Sequence, residues 1–455
     1  MRKIYIVGAL AVLFSACKPN VAITTKPSPG TANFANYLAI GSSYTAGFSD
    51  NALTVSGQYN SYPIRLFEQF SLVGSDGPFI QPYVYSDNGY ANPKLVLSHK
   101  TYCNGDYRLA PIDVPNWNAD SRDSPFVSTA NNGQINNIGI PRIRAVDYMV
   151  AGFPLINRWA SRFYNNAANP ATRPLDELSF RVRTQHPTFV TMWLGIDDVL
   201  GFALAGGQGD GTGAALPVAG NIYNSHDISN FNAFFNAYDS ALNTAVSTSA
   251  DGALINIPDI LSLPFFNVIP VKGLNLTRRS LVDSLNAKYP SATREKAFDT
   301  GYNYFIVRDH NGNVRQAVPG ELILMTTPVD SILCASWGGW NPIPEEYVIT
   351  TEEQQQIQTA ISTFNGHIFN RAQLFNLAYV DMHNYLTSFP SGFSYNGIKY
   401  STDFVSGGTI SLDGIHPTQR GYALIANKII MAINDHYKAT IPQTDVNKYR
   451  GITFP

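Results

Sequence analysis

Apolar positions along the chain fall into two alternating patterns. Residues 37–40 are a short apolar run stopped by Gly41, and residues 187–194 run TFVTMWL after Pro187 and stop at Gly195. Residues 253–257 end at Pro258-Asp259, and residues 377–382 form a late run. Short runs bounded by turn residues predict strands. Between them the spacing becomes helical. Ile64, Phe67, Phe70 and Leu72 mark 63–72, while Ile228, Phe231, Phe234, Phe235 and Leu242 lie on roughly one side of 225–246. Tyr422, Leu424, Ile425, Ile429 and Ile433 mark 418–437. Residues 351–374 predict a further helix, opened by Thr350 or Thr351 ahead of Glu352-Glu353, as helix starts favour. Strands alternating with helices predict an α/β fold, with parallel pairing and helices on both faces.

Two stretches interrupt this rhythm. Residues 76–134 are rich in Asn, Asp, Pro and Tyr, and residues 263–344 mix short apolar pieces with turn signals such as Asp309-His310-Asn311-Gly312. Loops this long are expected either as functional covers with small structure of their own or as decoration with no part in chemistry. Residues 206–213 are glycine-rich but lack a following Lys-Ser/Thr, so they predict a flexible loop and no phosphate cradle.

The first residues read as an address. Arg2 and Lys3 precede eleven residues of apolar character, 4–14, and then Ser15-Ala16-Cys17. That run is too short for a bilayer, which takes about 20 residues in a helix, and it fits a secretory signal. Cys17 after the small pair makes it resemble a bacterial lipoprotein signal, with Phe14 where Leu is usual. The expectation is removal of 1–16, lipid attachment at Cys17 and a cell-envelope, outer-membrane location. An ordinary signal peptide with a chance cysteine is the plainer alternative. Residues 17–33 are rich in Pro, Thr and Ala and read as a tether. Cys103 and Cys334 then sit in an oxidising compartment, where one disulfide between them is expected. Neither has the spacing of a zinc site, and no metal is predicted.

Composition narrows the classes further. Only 14% of residues are charged and 44% are hydrophobic, which excludes a disordered chain. With 31 basic and 33 acidic side chains, the net charge of −2 gives no electrostatic case for nucleic acid or an anionic membrane surface.

The candidate chemistry sits at the two ends of the α/β region. Gly41-Ser42-Ser43-Tyr44-Thr45-Ala46-Gly47 directly follows the first predicted strand. A serine at a tight strand-to-helix turn is held out of the sheet with its hydroxyl exposed to a carbonyl. At the far end, Asp413-Gly414-Ile415-His416-Pro417 precedes the last helix. An Asp three residues before a His brings both side chains to one side of a turn. The carboxylate can then hold the imidazole tautomer while the other ring nitrogen takes the serine proton. Each motif alone is common; the two together, in this order, are far more specific.

On these residues the chain resembles the SGNH, or GDSL-type, hydrolases, in the lipoprotein subgroup found in Bacteroidota. The resemblance runs from residues 39–48 to 411–427. It includes Asn137-Ile138-Gly139-Ile140-Pro141-Arg142, similar to the family's second block, and Trp193 to Gly201, similar to its third. It implies a flavodoxin-like three-layer sandwich over 34–441 with a central parallel sheet, the two long inserted loops, and a C-terminal tail at 442–455. It also implies ester hydrolysis through an acyl-serine on small-molecule or glycan esters, including acetylated carbohydrate and lipid. No cofactor is implied. Ser43 would be the nucleophile, His416 the base and Asp413 the orienting acid, with Ser43, Arg142 and Asp197 at the oxyanion hole.

Three positions depart from the family pattern. Ser42 stands where Asp or Asn is usual, Arg142 where a glycine offers its N–H, and Asp197 where an Asn side chain donates to the oxyanion. An ionised Asp197 would repel the developing charge, and losing one donor costs about 10²- to 10³-fold in turnover. Arg142 is expected to offer its N–H if its φ is negative and to strain the turn if it is positive. Two arrangements stay open: Arg142 paired with Asp197, rebuilding the hole with a cation, or Arg142 in solvent, Asp197 accepting backbone bonds and the site decayed. The second would make the protein a catalytically silent binder of glycan or another envelope component. Asp381-Met382-His383 is a weaker dyad with no serine motif attached. Trp337-Gly338-Gly339-Trp340 is the tryptophan group expected to face substrate, and tryptophan is more often core.

Overall fold

The computed structural model describes residues 26–123, 134–164, 169–220, 222–294 and 296–455; the signal segment and Cys17 lie outside the described residues. Five parallel strands build the central sheet: β1 (Tyr37–Gly41), β2 (Asn137–Gly139), β3 (Phe189–Trp193), β4 (Asp251–Ile255) and β5 (Ala378–Val380). Their spatial order is β2-β1-β3-β4-β5. Ala39 of β1 pairs with Asn137 on one side and Thr191 on the other. Every residue of β1 and β3 is buried, so both read as near-continuous apolar runs rather than alternating ones. The chain leaves β1 towards one edge to make β2, then crosses back to make β3 on β1's other side.

The helices that frame the sheet and the site are α1 (Ser43–Ala46), α2 (Tyr62–Phe70), α3 (Pro174–Gln185), α4 (Asp197–Leu204), α5 (Phe231–Ala245), α6 (Thr351–Leu374) and α7 (Gln419–Tyr437). The long ones fall into two groups. Helix α2 packs against α7, which also lies on β4 and β5, and α3 and α6 both pack on α5. The helix starts follow from side-chain caps. Thr350 Oγ1 accepts the Glu353 N–H at 3.3 Å while the Glu353 carboxylate accepts the Thr350 N–H at 2.7 Å, a reciprocal pair that sets the first turn of α6. Helix α5 begins at Phe231 rather than 225, because the Asn230 side chain accepts the Ala233 N–H at 3.1 Å and caps it there.

Both interruptions of the α/β rhythm carry structure. The first holds a hairpin, Leu95–Thr101 against Tyr107–Asp113. The second folds around two satellite cores, one with Leu276, Val282, Leu285 and Phe298, the other with Phe305, Val307, Ile323 and Ile343. Cys103 and Cys334 join the two insertions through a disulfide with Cα atoms 6.4 Å apart. The Cys103 N–H also donates to Asp330 at 2.9 Å. At the termini, Phe34 and Val446 both enter the main core, and Arg65 donates to the Tyr449 hydroxyl at 2.6 Å. Residues 442–455 therefore lie against the body.

In the chain-entropy account, a bridge closing a loop of 231 residues stabilises by about 5 kcal/mol. Replacing both cysteines by serine is expected to lower the urea-unfolding midpoint by a matching amount. An unchanged midpoint would mean that the hairpin docks on the second insertion without the bridge.

Candidate active site

Ser43 is the first residue of α1, directly beyond the C-terminal end of β1. Two glycines make the tight turn possible. A Cβ on Gly41 would fall 2.0 Å from Thr45 Oγ1, and one on Gly139 would fall 2.3 Å from the Ala46 N. Strand β2 can therefore run hard against α1 only because Gly139 carries no side chain. Asn137, two residues earlier, fixes the same contact by donating to the Thr45 carbonyl at 3.0 Å.

The Asp413–His416 turn is built from the far end of the chain. His416 Nδ1 bonds Asp413 Oδ2 at 2.8 Å, and the same oxygen accepts the Asn51 N–H at 2.8 Å. Asp413 Oδ1 accepts the Ile415 N–H at 2.9 Å, the His416 N–H at 2.8 Å and the Ser411 hydroxyl at 3.1 Å. Burial by itself would raise this carboxyl. The His416 charge and hydrogen bonds outweigh it and hold Asp413 down at about 2. Phe48 lies 4.8 Å and Tyr44 5.5 Å, ring to ring, from the imidazole, and they fix its plane. The Tyr44 hydroxyl donates to the Ile415 carbonyl at 2.7 Å, tying the Ser43 turn to the histidine turn.

Ser43, Arg142, Asp197, Asp413 and His416 all line one cavity of about 1060 Å³. Ser43 Oγ accepts the Arg142 N–H at 3.0 Å. Among the hydrogen bonds of the described residues none joins Ser43 to His416; in proteins without substrate, catalytic contacts are often long and tighten on binding. Arg142 sits at φ +61°. This is the strained branch of the expectation, and the amide still reaches Ser43 from the left-handed region, at a backbone cost of about 1–2 kcal/mol. The loop carrying Arg142 is clamped from β3's side, where Asp198 accepts the Ala145 N–H at 2.6 Å. Burial raises Asp198 to about 7, against the pull of that backbone bond.

The pairing of Arg142 with Asp197 is not found, and of the other arrangement only the exposed Arg142 side chain is, since no backbone N–H of the described residues donates to Asp197. No ion pair joins them among the described residues; the Arg142 guanidinium lies over the Trp159 ring, 5.5 Å from its centroid. Asp197 begins α4, and burial raises it to about 6, opposed by the Ser42 hydroxyl and the His416 and Arg142 charges and reinforced by Asp147. Its Oδ2 is buried with no hydrogen-bond partner. A neutral carboxyl at this position has an O–H to give, as an asparagine has an N–H. An ionised one has only acceptors.

The other candidates fall elsewhere. Asp381 caps a short helix by accepting the Asn384 N–H at 3.1 Å, and neither it nor His383 lines the cavity. Trp337 packs beside Tyr347 at 5.7 Å and Trp340 lies under Lys288 at 4.1 Å, both outside the cavity wall, which Trp159 provides instead. Asn137 and Asp198 lie in the second and third blocks without an expected role there, and Asn51, which also holds the site in place, carries no motif of its own in the sequence. Among the described residues no group of His, Cys, Asp or Glu gathers to hold a metal ion, and no helix is long and apolar enough to cross a membrane. No protein-family model matches the chain, and no curated protein does.

Asp413 is held below its unfolded value, so it contributes stability above about pH 4 that is lost as pH falls towards 2. The size is about 2 kcal/mol. Asp413→Asn is expected to destabilise the protein at neutral pH and to flatten the fall in urea-unfolding free energy between about pH 4 and 2. Parallel curves for the two proteins would show that Asp413 is not the group responsible.

Proposed function

We propose that the protein is an exported serine ester hydrolase of the SGNH type, acting on acyl esters through an acyl-Ser43 intermediate. One observation carries the reading: Ser43 and the Asp413–His416 pair, from opposite ends of the chain, open into one cavity beyond the C-terminal ends of the strands. The strand order supports a flavodoxin-like sheet, whose ligand crevice lies between β1 and β3, where the chain reverses direction of growth. The disulfide suits an oxidising compartment, and the lipoprotein-like signal ending at Cys17 suits anchoring in the envelope.

In this reading Ser43 Oγ attacks the ester carbonyl carbon as His416 Nε2 takes its proton. Asp413 holds the Nδ1–H and offsets the imidazolium charge. The Arg142 N–H and the neutral Asp197 O–H receive the oxyanion. Collapse expels the alcohol, which leaves with the proton from His416. A water molecule then gives a proton to His416 as its oxygen attacks the acyl carbon, and collapse breaks the bond to Ser43 Oγ, which takes the proton back from His416 as the carboxylic acid leaves.

Hydrolysis of short-chain nitrophenyl esters is expected from the protein and not from Ser43→Ala. Equal background rates for both would favour a silent glycan-binding relative. Asp197 adds a pH dependence. Above about pH 6 it ionises, its donor is lost and its charge opposes the oxyanion, so kcat/KM falls on the alkaline side. Asp197→Asn is expected to remove that fall and to exceed the parent by about 10²-fold near pH 8, with no gain near pH 5. Superimposable pH profiles would show that Asp197 does not face the oxyanion.

A further inference from the structure

Several arginines of this fold pair with carboxylates, among them Arg144 of the same cavity with Asp147 at 2.9 Å, Arg315 with Glu321 at 2.5 Å and Arg371 with Asp239 at 2.6 Å. Two arginines on the wall of the Ser43 cavity are different. The guanidinium of Arg142 lies 5.5 Å and that of Arg158 4.6 Å from the centroid of the same Trp159 ring. Their charges therefore fall within about one Debye length of each other. Neither has a carboxylate at ion-pair distance among the described residues. Arg158 has one polar contact, Nη1 donating to the Ala91 carbonyl at 2.8 Å, and both side chains are exposed. Burial and the neighbouring Arg142 charge together hold the Arg158 guanidinium below its ordinary value.

The acids of the same cavity do not offset this pair. Asp413 is taken up by His416 and Asp147 by Arg144, while Asp197, neutral below about pH 6, makes no ion pair with either arginine among the described residues. Glu346, exposed at the lining, is what remains. Arg142 also occupies a left-handed backbone position that glycine would take without strain. A strained residue whose guanidinium stacks on Trp159 with no hydrogen bond or ion pair among the described residues keeps its N–H donors for a partner outside the protein.

We infer that Arg142 and Arg158, laid over Trp159, form an anion subsite beside Ser43, and that the ester substrate carries an anionic oxo group, such as a carboxylate or sulfonate, seated there. Guanidinium groups bind such oxygens through two parallel N–H donors, and the indole face keeps the forks in place. The turnover half of this inference rests on the esterase reading; the binding half does not.

Two experiments on the full chain separate them. Titration calorimetry with adipate and with benzenesulfonate is expected to show binding of at least one anion, weakened by added salt. Arg158→Gln is expected to weaken it about tenfold and Arg158→Lys to recover most of the loss. In turnover, 4-acetoxybenzenesulfonate is compared with 4-methylphenyl acetate, and the methylumbelliferyl half-ester of adipic acid with methylumbelliferyl hexanoate. The charged member of one pair is expected to be preferred about tenfold in kcat/KM, and the preference to vanish in Arg158→Gln. Anion binding without hydrolysis of any ester would keep the subsite and remove the esterase. Hydrolysis with no anion binding and no Arg158-dependent preference would overturn the subsite and keep the esterase. Neither binding nor hydrolysis would overturn both.

Discussion

The carboxylate of Asp413 joins the two ends of the chain, and the geometry of the cavity depends on it. It accepts from Asn51, 362 residues away in sequence, while also organising its own turn through Ser411, Ile415 and His416. A buried carboxylate with so many donors is stable only as an anion, and an anion there holds His416 in one tautomer and one plane. The loop beyond α1 closes on the same turn, with the Leu412 N–H on Asp50 at 3.0 Å and the Tyr422 hydroxyl on the Phe48 carbonyl at 2.6 Å. The Ser43 and His416 turns are thereby fixed to each other.

The cavity sets carboxyl against carboxyl. Asp413 is surrounded by donors and held at about 2; Asp197 has a buried oxygen with no donor and is pushed to about 6. Similar groups driven apart by their surroundings differ in what they can do: Asp413 stays charged and accepts from His416, while Asp197 stays neutral in acid and has an O–H to give. Arg142 divides its labour in a comparable way. Its backbone serves Ser43, and its side chain leaves the hole for Trp159.

Where an element buries a continuous apolar run, the sequence makes it visible. Strands β1, β3, β4 and β5 and helices α2, α6 and α7 are all legible by spacing and caps. Strand β2 is not, because only Ile138 of its three residues is apolar and its burial comes from Asn137 bonding inwards. Helix α3 is hidden for a related reason: its buried face carries Glu177 and Arg181, paired at 2.5 Å, beside Leu178 and Val182. Of the site, Ser43, Asp413 and His416 are legible because their motifs are local. The Asn51 and Asp198 contacts are not, since each is a side chain or amide meeting a loop far away in sequence. The direction of the Arg142 side chain depends on a positive φ and on Trp159, neither of which spacing can reveal.

The central claim is that Ser43 is a nucleophile activated by His416 and held by Asp413. Reaction of the protein with a fluorophosphonate, followed by peptide mass spectrometry, tests it without knowledge of the substrate. A single adduct on Ser43, formed slowly or not at all in His416→Ala, is the predicted result. An unmodified Ser43 in the folded parent protein, or equal labelling with and without His416, would contradict the account.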